Sequence, residues 1–123
     1  RRVRDGGRSR YGLLTAGDLA GASDEALRNL ASSWGPMQIM GYHCVEIGVN
    51  VAALRDADAV AWGVRWVDQT YGHLLREQRF DDAFHMHNAG STYPDSGPPK
   101  THDPRYVPRG LKMMRGFSMI GWL

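Results

Sequence analysis

The ten residues Ser32-Ser33-Trp34-Gly35-Pro36-Met37-Gln38-Ile39-Met40-Gly41 hold the most suggestive cluster of chemistry-bearing side chains in this chain. Gln38 offers two N–H donors and an acceptor oxygen, a set suited to sugar hydroxyls or an acetamido group. Trp34 supplies a flat apolar face on which a pyranose ring could stack. Gly35 lets a ligand approach the backbone. If Pro36 opens a helix, unpaired N–H groups lie beside these side chains. The same residues admit a plainer reading, a buried helix in which Gln38 hydrogen-bonds a backbone group.

A second cluster is His85-x-His87, with Asp81, Asp82 and His102 near it in sequence. On a helix, positions i and i+2 point about 200° apart, so the two histidines cannot easily share one metal ion. A zinc-binding helix uses i, i+4 spacing, which only Asp81 and His85 show. No metal and no cofactor are expected, and His85 reads as a surface or half-buried residue. The sequence contains no P-loop, no G-x-G-x-x-G and no Ser-His-Asp arrangement, and Ser32 and Ser33 lack a nucleophile-elbow context.

The frame that must position these residues is small. The 123 residues make one domain, 1–123, long enough to bury a real core. An apolar content of 42% with 23% charged residues suits a globular chain. No apolar run approaches the roughly 18 residues of a membrane helix, so no membrane partner is expected. Cys44 is the single cysteine, which excludes an internal disulfide and a cysteine-rich zinc site; it reads as a core residue. Residues 1–14 form a basic irregular arm. Residues 1–10 hold five arginines and one acid, Asp5, and the rest of the chain nets −2. No aromatic residue interleaves these arginines and no nucleic-acid motif follows, so nucleic acid is not an expected partner. A monomer is expected.

Along the chain the periodicity is helical. Thr15 predicts a short capped helix to Leu19, stopped by Gly21. Ser23 caps a helix over 24–32, with Asp24 and Glu25 in its first turn and a stripe of Leu27, Leu30 and Ala31. Pro36 predicts a helix through Met40. A short segment with Val45 and Ile47 closes at Gly48, and Asn50 caps a turn over Val51–Leu54. The longest element starts near Asp56 or Asp58. Its predicted buried stripe is Val60, Val64, Val67, Tyr71, Leu74 and Leu75, flanked by Trp62 and Trp66, with a division near Gly72. Asp81 predicts the cap of a helix ending before Ala89-Gly90. Residues 91–104, with four prolines, form a long loop of the kind that often carries function. Arg105–Phe117 is helical, with Pro108 in the first turn and Met113, Met114 and Phe117 inward. No strand and no repeat is predicted, and the class is all-α.

The cluster at Ser32–Gly41 resembles the Gly-Leu-Met-Gln-Ile-Met signature of lytic transglycosylases and goose-type lysozymes. It is closer still to the Ala-Ser-Trp-Gly-x-x-Gln-Ile-Met-Gly pattern of the N-acetylmuramidase endolysin family. Glu25-Ala26-Leu27-Arg28 resembles that family's lead-in. His87-Asn88-Ala89-Gly90 resembles its Tyr-Asn-Ala-Gly element, and Tyr106-Val107 resembles a Tyr-Val of the transglycosylases. The matches span roughly residues 24–117.

The resemblance implies a lysozyme-like fold of six to eight short helices around one core. It implies cleavage of the bond between N-acetylmuramic acid and N-acetylglucosamine in peptidoglycan, by hydrolysis or by formation of a 1,6-anhydro product. Goose-type enzymes place an aspartate after the Gln-bearing signature to position water. Met40-Gly41 stand there here, which tilts the reading towards the second route. Ser33, Trp34, Gly35, Met37 and Gln38 would bind the glycan strand, with His87, Asn88 and Tyr106 on the opposite side. His87 stands where the family has Tyr. The setting implied is the bacterial envelope, periplasmic or secreted, or the wall attacked by a phage-encoded protein.

Such chemistry needs a glutamic acid in an apolar setting that protonates the leaving oxygen. Among Glu25, Glu46 and Glu77, only Glu25 precedes the signature, and the helix dipole at its position favours the wrong, ionised form. Arg1-Arg2-Val3-Arg4-Asp5-Gly6-Gly7 resembles the tail of the element that bears the acid in the muramidases. The expectation is therefore an N-terminally incomplete domain whose catalytic glutamate is encoded before Arg1, with Glu25 the fallback. The alternative is a glycan-binding or structural domain of the same fold without catalysis.

Overall fold

A computed structural model describes residues 14–119. The basic arm, apart from Leu14, and the stretch Arg1–Gly7 that resembles the acid-bearing element lie outside the described residues. Among the described residues there are five α-helices, two 3₁₀ helices and one two-stranded ribbon. The class is all-α, as the periodicity indicates. The chain divides into two compact units, residues 1–66 and 67–123.

The first unit begins with a correction. Residues 16–21 form turns rather than a helix. Asp18 takes the hydrogen bonds that a helix would need elsewhere: its carboxylate accepts from Thr15 N at 2.8 Å and Thr15 Oγ1 at 2.7 Å. These bonds hold the Asp18 carboxyl below its ordinary pKa. Helix α1, Asp24–Ala31, is capped as expected by Ser23, whose Oγ accepts from Ala26 N at 3.1 Å. Leu27 and Leu30 are half-buried, whereas Ala31 is exposed.

The expected helix from Pro36 to Met40 is instead a hairpin. Strands β1, Ser33–Trp34, and β2, Ile39–Met40, pair antiparallel with Trp34 opposite Ile39. Pro36 has φ suited to a helix start but equally to the second position of a β-turn. Here it takes the turn, closed by Gln38 N donating to Gly35 O at 3.1 Å. A short 3₁₀ helix, Gly41–His43, leads into α2, Cys44–Ile47, which ends on Gly48 in the left-handed region at φ 70°. Asn50 caps the 3₁₀ helix Val51–Leu54 by accepting from Ala53 N at 3.2 Å. Ile39, Cys44, Ile47, Leu54, Ala59 and Trp66 are the buried residues around these elements, with Leu19. Cys44 is buried as expected, and burial pushes its thiol pKa up.

Helix α3, Ala59–Arg76, carries the chain from one unit into the other. Its buried stripe is rotated from the expected one. Val60 and Val64 are 54% and 55% exposed, and Leu75 also faces solvent. Ala59, Trp66, Val67, Tyr71 and Leu74 are buried instead. The valines keep helical spacing, but the small residues Ala59 and Gly63 occupy the inward positions, because Met37 packs into the space a Cβ at Gly63 would fill. The division expected near Gly72 is present as a break at Tyr71, φ −147° and ψ 19°. The Asp68–Arg76 ion pair, 2.6 Å, crosses over Gly72 where a Cβ would stand.

The second unit continues with α4, Phe80–Ala89, ended by Gly90 at φ 72°, and α5, Tyr106–Met119. Asp81 is not the cap of α4. The helix starts at Phe80, two residues earlier than such a cap would set, and the position before it is Arg79, which contributes no side-chain cap. Arg79 binds Asp82 in the first turn instead, at 2.6 Å. Pro108 lies in the first turn of α5 as expected. Val107 is that helix's buried residue, while Met113 and Phe117 are exposed, against expectation.

Candidate functional site

The hairpin gathers Ser33, Trp34, Gly35, Met37 and Gln38. Gly35 has φ 70°, and a Cβ there would stand 2.5 Å from Leu54 O, so both backbone and neighbour demand glycine. Met37 turns its thioether onto Gly63. At the ribbon's foot, a Cβ on Gly41 would stand 2.2 Å from Asn29 O, and Gly41 N donates to Ser32 O at 2.8 Å. These contacts fix the turn from both ends.

Gln38 is exposed, at φ 52°, a left-handed conformation that non-glycine residues rarely adopt. Its side chain is nevertheless held. Oε1 accepts from Ser33 Oγ at 2.9 Å, and Nε2 donates to Gly35 O at 3.0 Å. An amide has four hydrogen-bonding positions, and these two bonds use one lone pair and one N–H. Trp34 is half-buried, its Nε1 donating to Asn29 O at 2.7 Å. The Arg55 guanidinium lies over the indole, 4.9 Å from the ring centroid. The guanidinium thus covers one face of the indole.

The glutamates occupy different settings. Glu25 is exposed in the first turn of α1. Glu77 is exposed, 3.4 Å from Arg79. Glu46 accepts from Trp66 Nε1 at 3.2 Å and pairs through the same oxygen with His43 Nδ1. Those partners are hydrogen-bonding groups rather than an apolar enclosure. Among the described residues no glutamate is buried.

In the second unit the α4 end carries His87 and Asn88. The buried Tyr71 hydroxyl meets His87 Nδ1 at 2.6 Å, the rings edge-on. Burial pushes the Tyr71 phenol well above its ordinary pKa, with the nearby Tyr106 adding to the shift, so its proton is retained. Burial likewise raises the half-buried Tyr106. Asn88 is exposed, but its Oδ1 accepts from His102 N at 3.2 Å.

His85 and Asp82 were not singled out for this task by the sequence. The sequence placed His85 at the surface or half-buried; the structure encloses it fully, at 0% exposure. Its Nδ1 meets Ser91 O at 2.7 Å and its Nε2 accepts from Lys100 N at 2.9 Å. Asp82 Oδ1 accepts from Tyr93 N at 2.8 Å. Asp82, His85 and Asn88 thus use i, i+3, i+6 spacing, one side of α4, to hold the backbone of the 91–103 loop. That spacing ahead of a proline-rich loop was the available signal.

Comparison of the chain with known protein families, with curated proteins and with solved structures gave no match.

Proposed function

We propose that this chain is a glycan-binding part of a peptidoglycan-cleaving glycosidase with a lysozyme-like fold, a muramidase or lytic transglycosylase. The observation that carries the reading is Gln38. A non-glycine residue at φ 52° costs on the order of 1 kcal/mol, and such outliers cluster at functional sites. Here the outlier presents an exposed amide tethered to Ser33 and Gly35, the residues on either side of Trp34 in sequence. The resemblance of Ser32–Gly41 to the muramidase signature supplies the substrate class. His87, Asn88 and Tyr106 enter the reading through that resemblance alone.

With no described glutamate enclosed, the reading assigns the general acid to a glutamate encoded ahead of Arg1. A second reading, a glycan-binding domain without catalysis, draws on the same observation about the glutamates.

The test uses the protein expressed with its upstream coding sequence, assayed by clearing of purified cell walls. Clearing that is abolished by Glu→Gln at an upstream glutamate, and lowered about tenfold or more by Gln38→Ala, is the expected result. Binding to walls without clearing establishes the second reading. Neither binding nor clearing overturns both.

A further inference from the structure

We propose that the exposed side of α5 around Met113 and Phe117, edged by Lys112 and Arg115, docks on an anionic lipid surface. The first half of the helix is what joins it to the second unit. Val107 is buried there, and Phe84 of α4 packs into the space that Gly110 leaves. Beyond Gly110 the sequence stays apolar while the burial ends. Met113 is 64% exposed, Phe117 44% and Met119 88%, and Leu111 and Met114 are half-buried. Apolar surface left in water is unfavourable, and a contiguous patch of it marks a contact site. The sequence runs on as Ile120-Gly121-Trp122-Leu123, three more large apolar residues and no charge.

Helix geometry sorts these side chains. At about 100° per residue, Met113 and Phe117 fall on one strip, beside Gly110, whose contact with Phe84 marks the side packed on α4. Lys112 and Arg115 lie further round, on the opposite flank, where long stems let their charges reach a surface on which the strip rests. Both are exposed, and neither is in an ion pair among the described residues. Residues 104–123 contain Arg105, Arg109, Lys112 and Arg115 and no aspartate or glutamate. Asp103 pairs with Arg105 and Arg109, so the uncompensated charge stands at the apolar end. An apolar strip with cations beside it and no acid is the pattern of a helix that lies in a membrane interface.

The charges and the placement of Met119 choose among the surfaces that could cover the strip. A second copy would bring Lys112 and Arg115 towards the same cations of its own α5, with no acid on that helix to meet them. An acidic groove on another protein takes one face of a helix. Here Met119, the most exposed of the large apolar residues, stands on the side of Lys112 and Arg115, away from Met113. Apolar side chains on both flanks of the helix end suit a fluid phase that closes around them. The contact is superficial. No helix among the described residues is long and apolar enough to cross a membrane, and an interfacial helix sinks only its apolar side into the headgroup boundary. The glycan reading of the hairpin plays no part in this inference.

Flotation of the whole 123-residue chain with lipid vesicles is the test. Vesicles of equal parts phosphatidylcholine and phosphatidylglycerol should carry the protein, less so as salt is raised, and vesicles of phosphatidylcholine alone should carry little. Each cation beside an anionic surface strengthens binding roughly fivefold, so Lys112→Gln combined with Arg115→Gln should lower the partition coefficient about 25-fold. Met113→Ser should lower it about fivefold. The three side chains are exposed, so these variants keep the fold, which circular dichroism checks. Absence of binding to the anionic vesicles overturns the proposal, as does equal binding to the neutral ones. Binding that the α5 substitutions leave unchanged would belong to the arginines of residues 1–10 and overturns it too. Capture on immobilised polyglutamate as strong as on the vesicles would assign the helix to an acidic protein instead. A wild-type dimer that Met113→Ser dissociates in analytical ultracentrifugation would assign it to a second copy. Either result overturns the lipid assignment.

Discussion

The hairpin of the first unit and the loop of the second both fix irregular backbone, by opposite means. The hairpin uses missing atoms. Gly35, Gly41 and Gly63 leave spaces filled by Leu54 O, Asn29 O and Met37. The loop uses added ones, the polar side chains of Asp82, His85 and Asn88 reaching backbone N–H groups of Tyr93, Lys100 and His102. A steric device tolerates no substitution and does not respond to pH. A polar device weakens bond by bond. The two regions should therefore break differently.

The sharpest break is expected at Gly41. An alanine Cβ would lie 2.2 Å from Asn29 O and 2.9 Å from Leu30 Cα, both backbone atoms of α1. Neither can swing aside, so Gly41→Ala should destabilise by about 3 kcal/mol or more, beyond ordinary overpacking. Denaturant unfolding followed by circular dichroism measures this. A loss under 1 kcal/mol would mean that α1 and the hairpin foot shift freely, and the steric account of the hairpin would fail.

His85→Ala comes next. It leaves Lys100 N–H and Ser91 C=O without their partner and opens a cavity, a loss of about 2–4 kcal/mol. Asn88→Ala removes one long bond at an exposed position and should cost no more than about 1 kcal/mol. Trypsin cleavage after Lys100, at neutral pH, should rise strongly in His85→Ala and little in Asn88→Ala. Equal susceptibility would show that the loop does not depend on the His85 bonds.

These devices also mark what could be read in the sequence. Ser23 and Asn50 as caps, Gly48 and Gly90 as helix ends, the long 91–104 loop and the kink near Gly72 were all legible, because each signal acts within a few residues of its effect. The hairpin was not. Pro36 suits a helix start and a β-turn equally, and the choice depends on Leu54 O, nearly twenty residues on, lying where a Gly35 Cβ would be. His85 was misplaced for the same reason: its partners Ser91 and Lys100 come from a loop whose return path leaves no local trace. The α3 stripe was rotated because valine spacing says that a face exists, whereas Gly63 yields the inward place to Met37. The hairpin does bring together Ser33, Trp34, Gly35, Met37 and Gln38, which the sequence singles out as a group. The conformation that makes Gln38 notable was not legible.

Alkaline pH separates the regions again. Tyr71 has its pKa raised by burial, so the folded state keeps a proton that the unfolded chain releases near pH 10. A raised folded pKa means full stability below the unfolded value and loss as pH climbs from there through the folded one. Melting temperature should fall above about pH 10, and Tyr71→Phe should remove part of that fall while forfeiting the bond to His87 at neutral pH. Phenolate absorbance should show one tyrosine that ionises only on unfolding. Full titration of every tyrosine in the folded protein would contradict the burial of Tyr71.

The smallest stability effect belongs to Gln38, and there the sign is informative. Gln38→Gly removes two exposed side-chain hydrogen bonds and relieves the left-handed backbone, so the two changes should offset to within about 0.5 kcal/mol. Gln38→Ala removes the same bonds and keeps the backbone cost, so it should be less stable than the glycine variant by about 1 kcal/mol. That difference isolates the strain from the tether. If glycine is clearly the more stable of the two and yet glycan binding is lost in both, the glutamine is held in an unfavourable conformation for its amide, as a binding role requires. If both variants bind glycan as the wild type does, the tether serves only the turn, and Gln38 belongs with the glycines as part of the hairpin's construction.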